Sequence, residues 1–395
     1  MRYNIFERRE NIVSKKIIEN AKVVLETGIL FDGVIVTEGD RILAVGKRGE
    51  VAPPDGAERI DAHGAYVGPG FVDIHVHGGN NLSTCLDAVE ACEFFLRHGT
   101  TSLLATPAYS MGFDEFIANV RAAKAAMGKA RTLRGLYLEG PYTNGKYGAN
   151  AHRYAWYGQL KPEQYTALVD AAGDAARVWT IAPERKSEGL CDFMEYARSV
   201  QPSVVFAVGH SEATPGEIRA LGKYRPTLQT HSMDATGRLP VSEGTRAVGP
   251  DEYCFHEPSV YCEMISDSLA IHVQPEMQKL LLHTKGVHHV VLITDSTVRD
   301  NPNPPELSHV PDLNFDDRGG ISGSKMTMEL ACRNVMTHTT CGIAEAFMMA
   351  SGNPARAIGL DDEIGSIEVG KRADLVFCDD VFNVKQVMLG GEIVV

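Results

Sequence analysis

The sequence predicts an α/β protein: a (β/α)8 TIM-like barrel with a small β-sandwich domain formed from both chain ends. Three observations predict it. From Phe71 onward, short apolar runs alternate with helix-like stretches, and the alternation repeats eight times, the pattern of a closed parallel sheet wrapped by helices. The residues that end these runs are repeatedly His, Glu or Asp, and barrels of this kind keep their chemistry at the C-terminal ends of their strands. Before and after this region, the chain reads as short strands punctuated by glycine turns.

In chain order, residues 1–68 form the first part of the small β domain. Ile17-Ile18-Glu19-Asn20-Ala21-Lys22-Val23-Val24-Leu25, Gly33-Val34-Ile35-Val36 and Arg41-Ile42-Leu43-Ala44-Val45 read as strands, separated by Thr27-Gly28 and Glu38-Gly39-Asp40. The barrel is expected over 69–358, with strands at 71–77, 100–106, 133–139, 177–182, 204–210, 227–231, 259–265 and 289–295. Helical stretches lie between them, among them 114–124 and 162–172. The patch Asn301-Pro302-Asn303-Pro304-Pro305 falls in a loop after the eighth strand and is expected to stiffen it near the site. The tail, 359–395, returns to β structure at 365–377 and 387–395. It is expected to rejoin the N-terminal sheet, because chain termini often lie close together.

The chemistry starts at Pro69-Gly70-Phe71-Val72-Asp73-Ile74-His75-Val76-His77-Gly78-Gly79. Residues two apart in a strand share a face, so His75 and His77 aim two imidazoles at one point, an arrangement that suits a divalent metal. Alone, the pair is equally a pair of ordinary strand histidines. The other strand ends decide for the metal: Glu139, His210, His231, Asp267 and Asp295 also end strands, which is more chemistry than chance puts there.

Composition narrows the partners. The net charge of -13 over 395 residues leaves no basic stripe to neutralise phosphates, which excludes a nucleic-acid partner. The N-terminal ten residues lack the apolar core of a signal peptide, and no 18-residue apolar stretch occurs, so a cytoplasmic protein without a membrane partner is expected. The eight cysteines are scattered without a CxxC pair and read as reduced, buried thiols.

With these motifs in hand, the chain resembles the amidohydrolase superfamily and, within it, the N-acetylglucosamine-6-phosphate deacetylases. The resemblance spans nearly the whole chain. Besides the His75/His77 stretch it rests on Leu138-Glu139-Gly140-Pro141-Tyr142, Gly209-His210-Ser211, Ile265-Ser266-Asp267-Ser268 and Ile293-Thr294-Asp295. It continues through Gly323-Ser324-Lys325-Met326-Thr327-Met328, Asn353-Pro354-Ala355-Arg356-Ala357 and Gly370-Lys371-Arg372-Ala373-Asp374. The resemblance implies that Glu139, His210 and His231 are metal ligands, with Glu139 bridging if two metals bind. It implies that Asp295 is both a metal ligand and the general base. It implies that His272 touches the substrate's acyl oxygen and His152 its sugar or phosphate. Because His75 and His77 are both kept, two divalent metals per chain are expected, zinc, iron or manganese, which His and carboxylate sites accept alike. A homodimer is usual for the family. The implied reaction converts N-acetylglucosamine 6-phosphate to glucosamine 6-phosphate and acetate.

The match departs from the family in the substrate shell. Where the family carries Leu-Phe-Asn-Ala-Met after the strand-six His, this chain has His231-Ser232-Met233-Asp234-Ala235-Thr236-Gly237-Arg238. Asp234 stands where an Asn helps to hold a phosphate, and an acid repels a dianion unless a cation intervenes. Arg238 and Arg246 are the available cations. Asp234, Ala235, Arg238 and Arg246 are therefore candidate substrate contacts. A different N-acyl amino sugar, or another small amide, is the alternative substrate. A non-catalytic scaffold would have lost ligands that this chain keeps.

Overall fold

The computed structural model describes residues 14–237, 242–299 and 302–395. Eight parallel strands, each bonded to the next in chain order, form the barrel: Phe71–Val76, Thr100–Ala105, Leu133–Tyr142, Ala176–Ile181, Val205–Val208, Leu228–Gln229, Tyr261–Met264 and Val290–Leu292. The first and eighth strands meet just beyond their ladders. The Asp295 amide donates to the His75 carbonyl at 3.0 Å, and the Thr294 hydroxyl donates to Asp73 Oδ2 at 2.6 Å.

Helices cover the strands as expected. The stretch 114–124 lies within the helix Phe113–Ala126, and the other expected stretch is the helix Pro162–Ala172. Proline opens four of the helices, at Pro162, Pro215, Pro250 and Pro275, where its missing amide proton costs nothing and its fixed φ suits the first turn. Thr214 and Glu217 close a reciprocal capping box on the helix Pro215–Arg219. After the eighth strand, a two-stranded ribbon, Leu313–Phe315 with Ile321–Ser324, lies between the strand and its helix Met328–His338. The sequence reading did not anticipate this ribbon. It holds the strand end in place, because the Ser324 amide donates to the Asp295 carbonyl at 2.9 Å and the Thr297 amide to the Ser324 carbonyl at 3.0 Å.

The two chain ends share one small sheet. Lys15–Leu25, Gly28–Glu38, Arg41–Lys47, Glu58–Asp61 and Tyr66–Pro69 come from the N-terminal side, and Leu375–Cys378, Val384–Leu389 and Glu392–Ile393 from the C-terminal side. They meet where Tyr66–Pro69 pairs antiparallel with Leu375–Cys378. The layers of the expected sandwich are continuous here. Lys15–Leu25 pairs with Gly28–Glu38 on one edge and with both Glu58–Asp61 and Tyr66–Pro69 on the other, and its bulges let the sheet curl around Ile18, Val23, Ile35, Val67, Leu375 and Phe377. The strand expected from 365 begins only at Leu375, because Gly365 and Gly370 take φ of 92° and 91°, which breaks an extended run. The strand expected over 387–395 is a hairpin, turned at Gly390 and Gly391 with φ of 58° and 78°, the glycine pair a tight two-residue turn requires.

The sheet is fastened to the barrel floor by aromatic packing. Phe71 opens the first barrel strand, Phe347 lies in the helix Ile343–Phe347, and Phe382 lies in the small sheet's last long loop. All three are buried, with ring centroids 5.0 to 6.1 Å apart. Among the described residues no helix is long and apolar enough to cross a membrane. Truncating Phe347 to alanine removes the ring shared by both parts, and a loss of about 3–5 kcal/mol is expected, measured as a lower urea midpoint.

Candidate metal centre

The ligand-type residues sit at the mouths of barrel strands. His75 and His77 lie on one face at the end of the first strand, Glu139 near the end of the third, and His210, His231 and Asp295 just past the fifth, sixth and eighth. The last three have positive φ, 43°, 24° and 45°, a conformation a non-glycine residue holds only when its surroundings enforce it. In each case the chain leaves the ladder and turns at the residue that carries the functional side chain.

Two groups result: His75, His77 and Asp295, and Glu139, His210 and His231. Within each group the ligand atoms all lie within 4.8 Å of one another. Glu139 joins them. Its Oε1 is 2.6 Å from His210 Nε2, 3.2 Å from His231 Nε2 and 3.8 Å from His75 Nε2, and its Oε2 is 3.5 Å from His77 Nε2. Asp295 Oδ1 is 3.2 Å from His77 Nε2 and 3.8 Å from His75 Nε2. Each imidazole is held by its other nitrogen. Nδ1 of His77, His210 and His231 faces the carbonyls of Thr106, Tyr147 and Asp234 at 3.0, 3.0 and 3.2 Å, and Nδ1 of His75 faces Glu263 at 3.2 Å. Four backed imidazoles thus turn Nε2 toward one space, the orientation metal-ligating histidines adopt.

The electrostatics fit a cation. Burial alone would raise the Glu139 pKa, but the charge and hydrogen bond of His210, joined by His231 and His75, hold it well below the carboxylate range. Burial would lower His231, yet its bond to Glu139 and the charge of Asp234 push it up to about 10. His75 is raised against burial, chiefly by Glu263, and Asp295 is lowered against burial, chiefly by His77. Protons fill positions that bound metal would take, and metal binding would release them. His75 Nε2 is buried without a hydrogen-bond partner, the open position a metal would fill. The donor set, imidazole nitrogens with carboxylate oxygens, fits zinc, iron or manganese.

Beside these groups opens a cavity of about 520 Å³, lined by His77, Glu139, His210, His231 and Asp295 together with Asp234 and Ala235. Asp234 is half-buried there; its carboxylate makes no hydrogen bond among the described residues, but its charge raises the pKa of His231 and of His272. Arg246 lies elsewhere, 74% exposed at its side chain and 3.7 Å from Glu252. Arg238 lies outside the described residues. His152 sits beside the cavity's rim, 3.6 Å from Asp317, while its neighbour Arg153 lines the cavity and pairs with Asp317 at 2.6 Å. His272 is buried. Its Nδ1 faces Asp267 Oδ2 at 2.9 Å, and its Nε2 has no partner. The Pro302-Asn303 patch lines an adjoining cavity with Ser296 and Thr297.

Several residues that shape the site carry little trace of their role in the sequence. Asp267, one of the strand-end acids, accepts three backbone amides and also orients His272. Glu263 is a lone charge in the apolar run Val260-Tyr261-Cys262-Glu263-Met264-Ile265, and an acid in a buried strand is the signal that would have found it. Arg153, Arg299 and Tyr109, whose ring lies 4.4 Å from that of His210, carry no local signature.

The model of the family described as "Amidohydrolase family" matches residues 66–394. An N-acetylglucosamine-6-phosphate deacetylase of Haemophilus influenzae is 28% identical, over 94% of this chain and 97% of its own. An N-acetylgalactosamine-6-phosphate deacetylase of Escherichia coli O157:H7 is 27% identical, over 82% and 86%. Among solved structures, N-acetylglucosamine-6-phosphate deacetylase from Pasteurella multocida superposes with a TM-score of 0.82 at 26% identity, covering 96% of this chain and 99% of that one. The enzyme of the same name from Mycobacterium smegmatis, in complex with N-acetyl-D-glucosamine-6-phosphate, gives a TM-score of 0.80 at 29% identity, covering 97% and 100%.

Gly148 shows how closely the loops press on the site. Its φ is +99°, and a Cβ added there would lie 2.5 Å from His210 Cε1 and 2.7 Å from Nδ1. Gly148→Ala is expected to turn His210 and weaken metal binding by about 10–100-fold, read by chelator competition. Gly158→Ala, equally strained at φ +76° but with open space around it, is expected to keep its metal.

Proposed function

The chain belongs to the amidohydrolase family, and from that premise we propose that it is a metal-dependent deacetylase acting on N-acetylglucosamine 6-phosphate, releasing glucosamine 6-phosphate and acetate. The observation that carries this reading is the pair of ligand groups meeting at Glu139, in a chain whose relatives bear that activity in their names. His75, His77 and Asp295 would hold one divalent ion and Glu139, His210 and His231 a second, with Glu139 between them. Such an ion supplies a Lewis acid and lowers the pKa of the water it binds to about 7. The reading carries with it a cytoplasmic homodimer.

The chain's own residues account for the proton movements. Hydrolysis forms a bond from the water oxygen to the acyl carbon and breaks the bond from that carbon to nitrogen. Asp295, held ionised chiefly by His77 against the effect of burial, accepts the proton of the attacking water and returns it to the departing amine. Asp267 fixes His272 through Nδ1, leaving Nε2 to bond the acyl oxygen as charge gathers there. The barrel mouth holds these groups away from bulk water, where their interactions count for more.

Asp295→Asn is expected to lower kcat by about 10²-fold or more while most of the metal stays bound, read by steady-state acetate release and elemental analysis. Near wild-type turnover would remove Asp295 from the mechanism.

One observation favours a second reading, an N-acyl amino sugar without the 6-phosphate. The Asp234 carboxylate lines the cavity without a hydrogen-bond partner among the described residues, and Asp316, Asp317 and Glu115 line the same space, against Arg153 and Arg299. Two unit charges 4 Å apart repel by roughly 4 kcal/mol at an effective dielectric of 20, so an acid beside the phosphate would cost orders of magnitude in affinity. Asp234→Asn is expected to raise kcat/KM on the 6-phosphate and to change it little on the neutral sugar. A mutant that loses activity on the phosphate would mean that Asp234 orients a cation instead, and one unchanged on both substrates would exclude it from recognition.

A further inference from the structure

We propose that Glu263 is a positioning residue that holds the two halves of the metal centre in register, an inference that rests on the two-metal reading above. Glu263 lies mid-way along the seventh barrel strand and is 0% exposed. One of its oxygens, Oε2, does two things. It faces His75 Nδ1 at 3.2 Å and accepts the backbone amide of His231 at 3.0 Å. These two histidines belong to different ligand groups. The other oxygen, Oε1, is buried with no hydrogen-bond partner.

This is an expensive way to brace a strand. A buried carboxylate costs a large desolvation penalty, and an oxygen left unpaired recovers none of it. An amide or a hydroxyl would tie the same strands together for less. The cost makes sense if the negative charge is needed. Two divalent ions bring four positive charges, and among the six ligands only Glu139 and Asp295 are anionic when the imidazoles are neutral. Glu263 adds a third negative charge directly behind His75, where it raises the imidazole's power as a ligand.

The same contact fixes the tautomer of His75. A neutral imidazole carries one proton. With Glu263 accepting at Nδ1, that proton is fixed there, and Nε2 keeps its lone pair toward the centre. Nε2 lies 3.8 Å from both Glu139 Oε1 and Asp295 Oδ1 and is buried without a partner. The ring of Tyr137 stacks on His75 at 4.3 Å and blocks a flip. On the other side, the amide that Glu263 accepts belongs to the residue with φ of 24°. That bond holds the His231 backbone in the turn that points its side chain inward.

The test uses the full-length chain stripped of metal and titrated with zinc against a competing chelator. Wild type is expected to bind two zinc ions, and the step missing from a His75→Gln/His77→Asn double variant identifies the His75 position. Glu263→Leu, which fills the space without an acceptor, is expected to weaken that step by about 10–100-fold. Glu263→Gln keeps an oxygen for both bonds but drops the charge, and is expected to fall between Leu and wild type. Should the Leu variant fail to fold, the Gln variant alone decides, because loss of charge must still weaken the His75 step relative to wild type. The metal-free melting temperature is measured alongside, and is expected to hold in the Gln variant. Wild-type zinc affinity in Glu263→Gln and Glu263→Leu would overturn the proposal, as would equal weakening of both steps with a lower metal-free melting temperature, the mark of a merely structural acid. A single zinc in wild type would instead overturn the two-metal reading beneath it.

Discussion

Glu139 brings both oxygens of one buried carboxylate into a space shared with four imidazoles, and much of the barrel is arranged around that meeting. Contacts at 2.6 and 3.2 Å reach the fifth and sixth strands, and longer ones at 3.5 and 3.8 Å reach the first. A buried ion is tolerated only when its partners are placed in advance. The partners here come from strands that do not pair with the third and face it only once the sheet has curled into a barrel. Closure and the charge cluster therefore depend on each other: the strands set the spacing of the side chains, and the side chains are costly to bury at any other spacing.

The same constraint explains the irregular strand ends. A regular ladder alternates side chains in and out, and it cannot deliver six ligands to one level from strands of different height. His210, His231 and Asp295 leave the ladder with positive φ, each such residue costing on the order of 1–3 kcal/mol. The ribbon over the eighth strand and the carbonyls of Tyr147 and Asp234 hold what that strain would otherwise release. Rigidity is thus concentrated on the ligand-type side chains.

The rest of the cavity lining is built differently. Asp234, Arg299, Asp316 and Asp317 come from loops and from the ribbon tip, and Arg153 from the single 3-10 turn Ala151–Arg153, where backbone constraint is weaker and side chains change with little cost to the fold. A fixed set of ligand-type side chains and an independently varied charge lining can therefore coexist in one barrel. The ligand-type residues stand at strand ends, and most of the remaining lining stands on segments that the strands do not constrain.

Much was legible in the sequence. Strand and helix alternation is a local pattern, so the eight barrel strands fell close to where the apolar runs put them, and the HxH spacing puts two imidazoles on one face by strand geometry alone. The ligand-type residues were legible because they end those runs. Other features had no local trace. Arg246 offered the right charge but lies against Glu252. Glu263 acts on His75 from 188 positions away. Local periodicity determines which elements form and which residues stand at their ends. Only the closed tertiary structure decides which buried acid backs which imidazole, because a hydrogen bond of about 3 Å between distant segments exists only after the strands between them have packed.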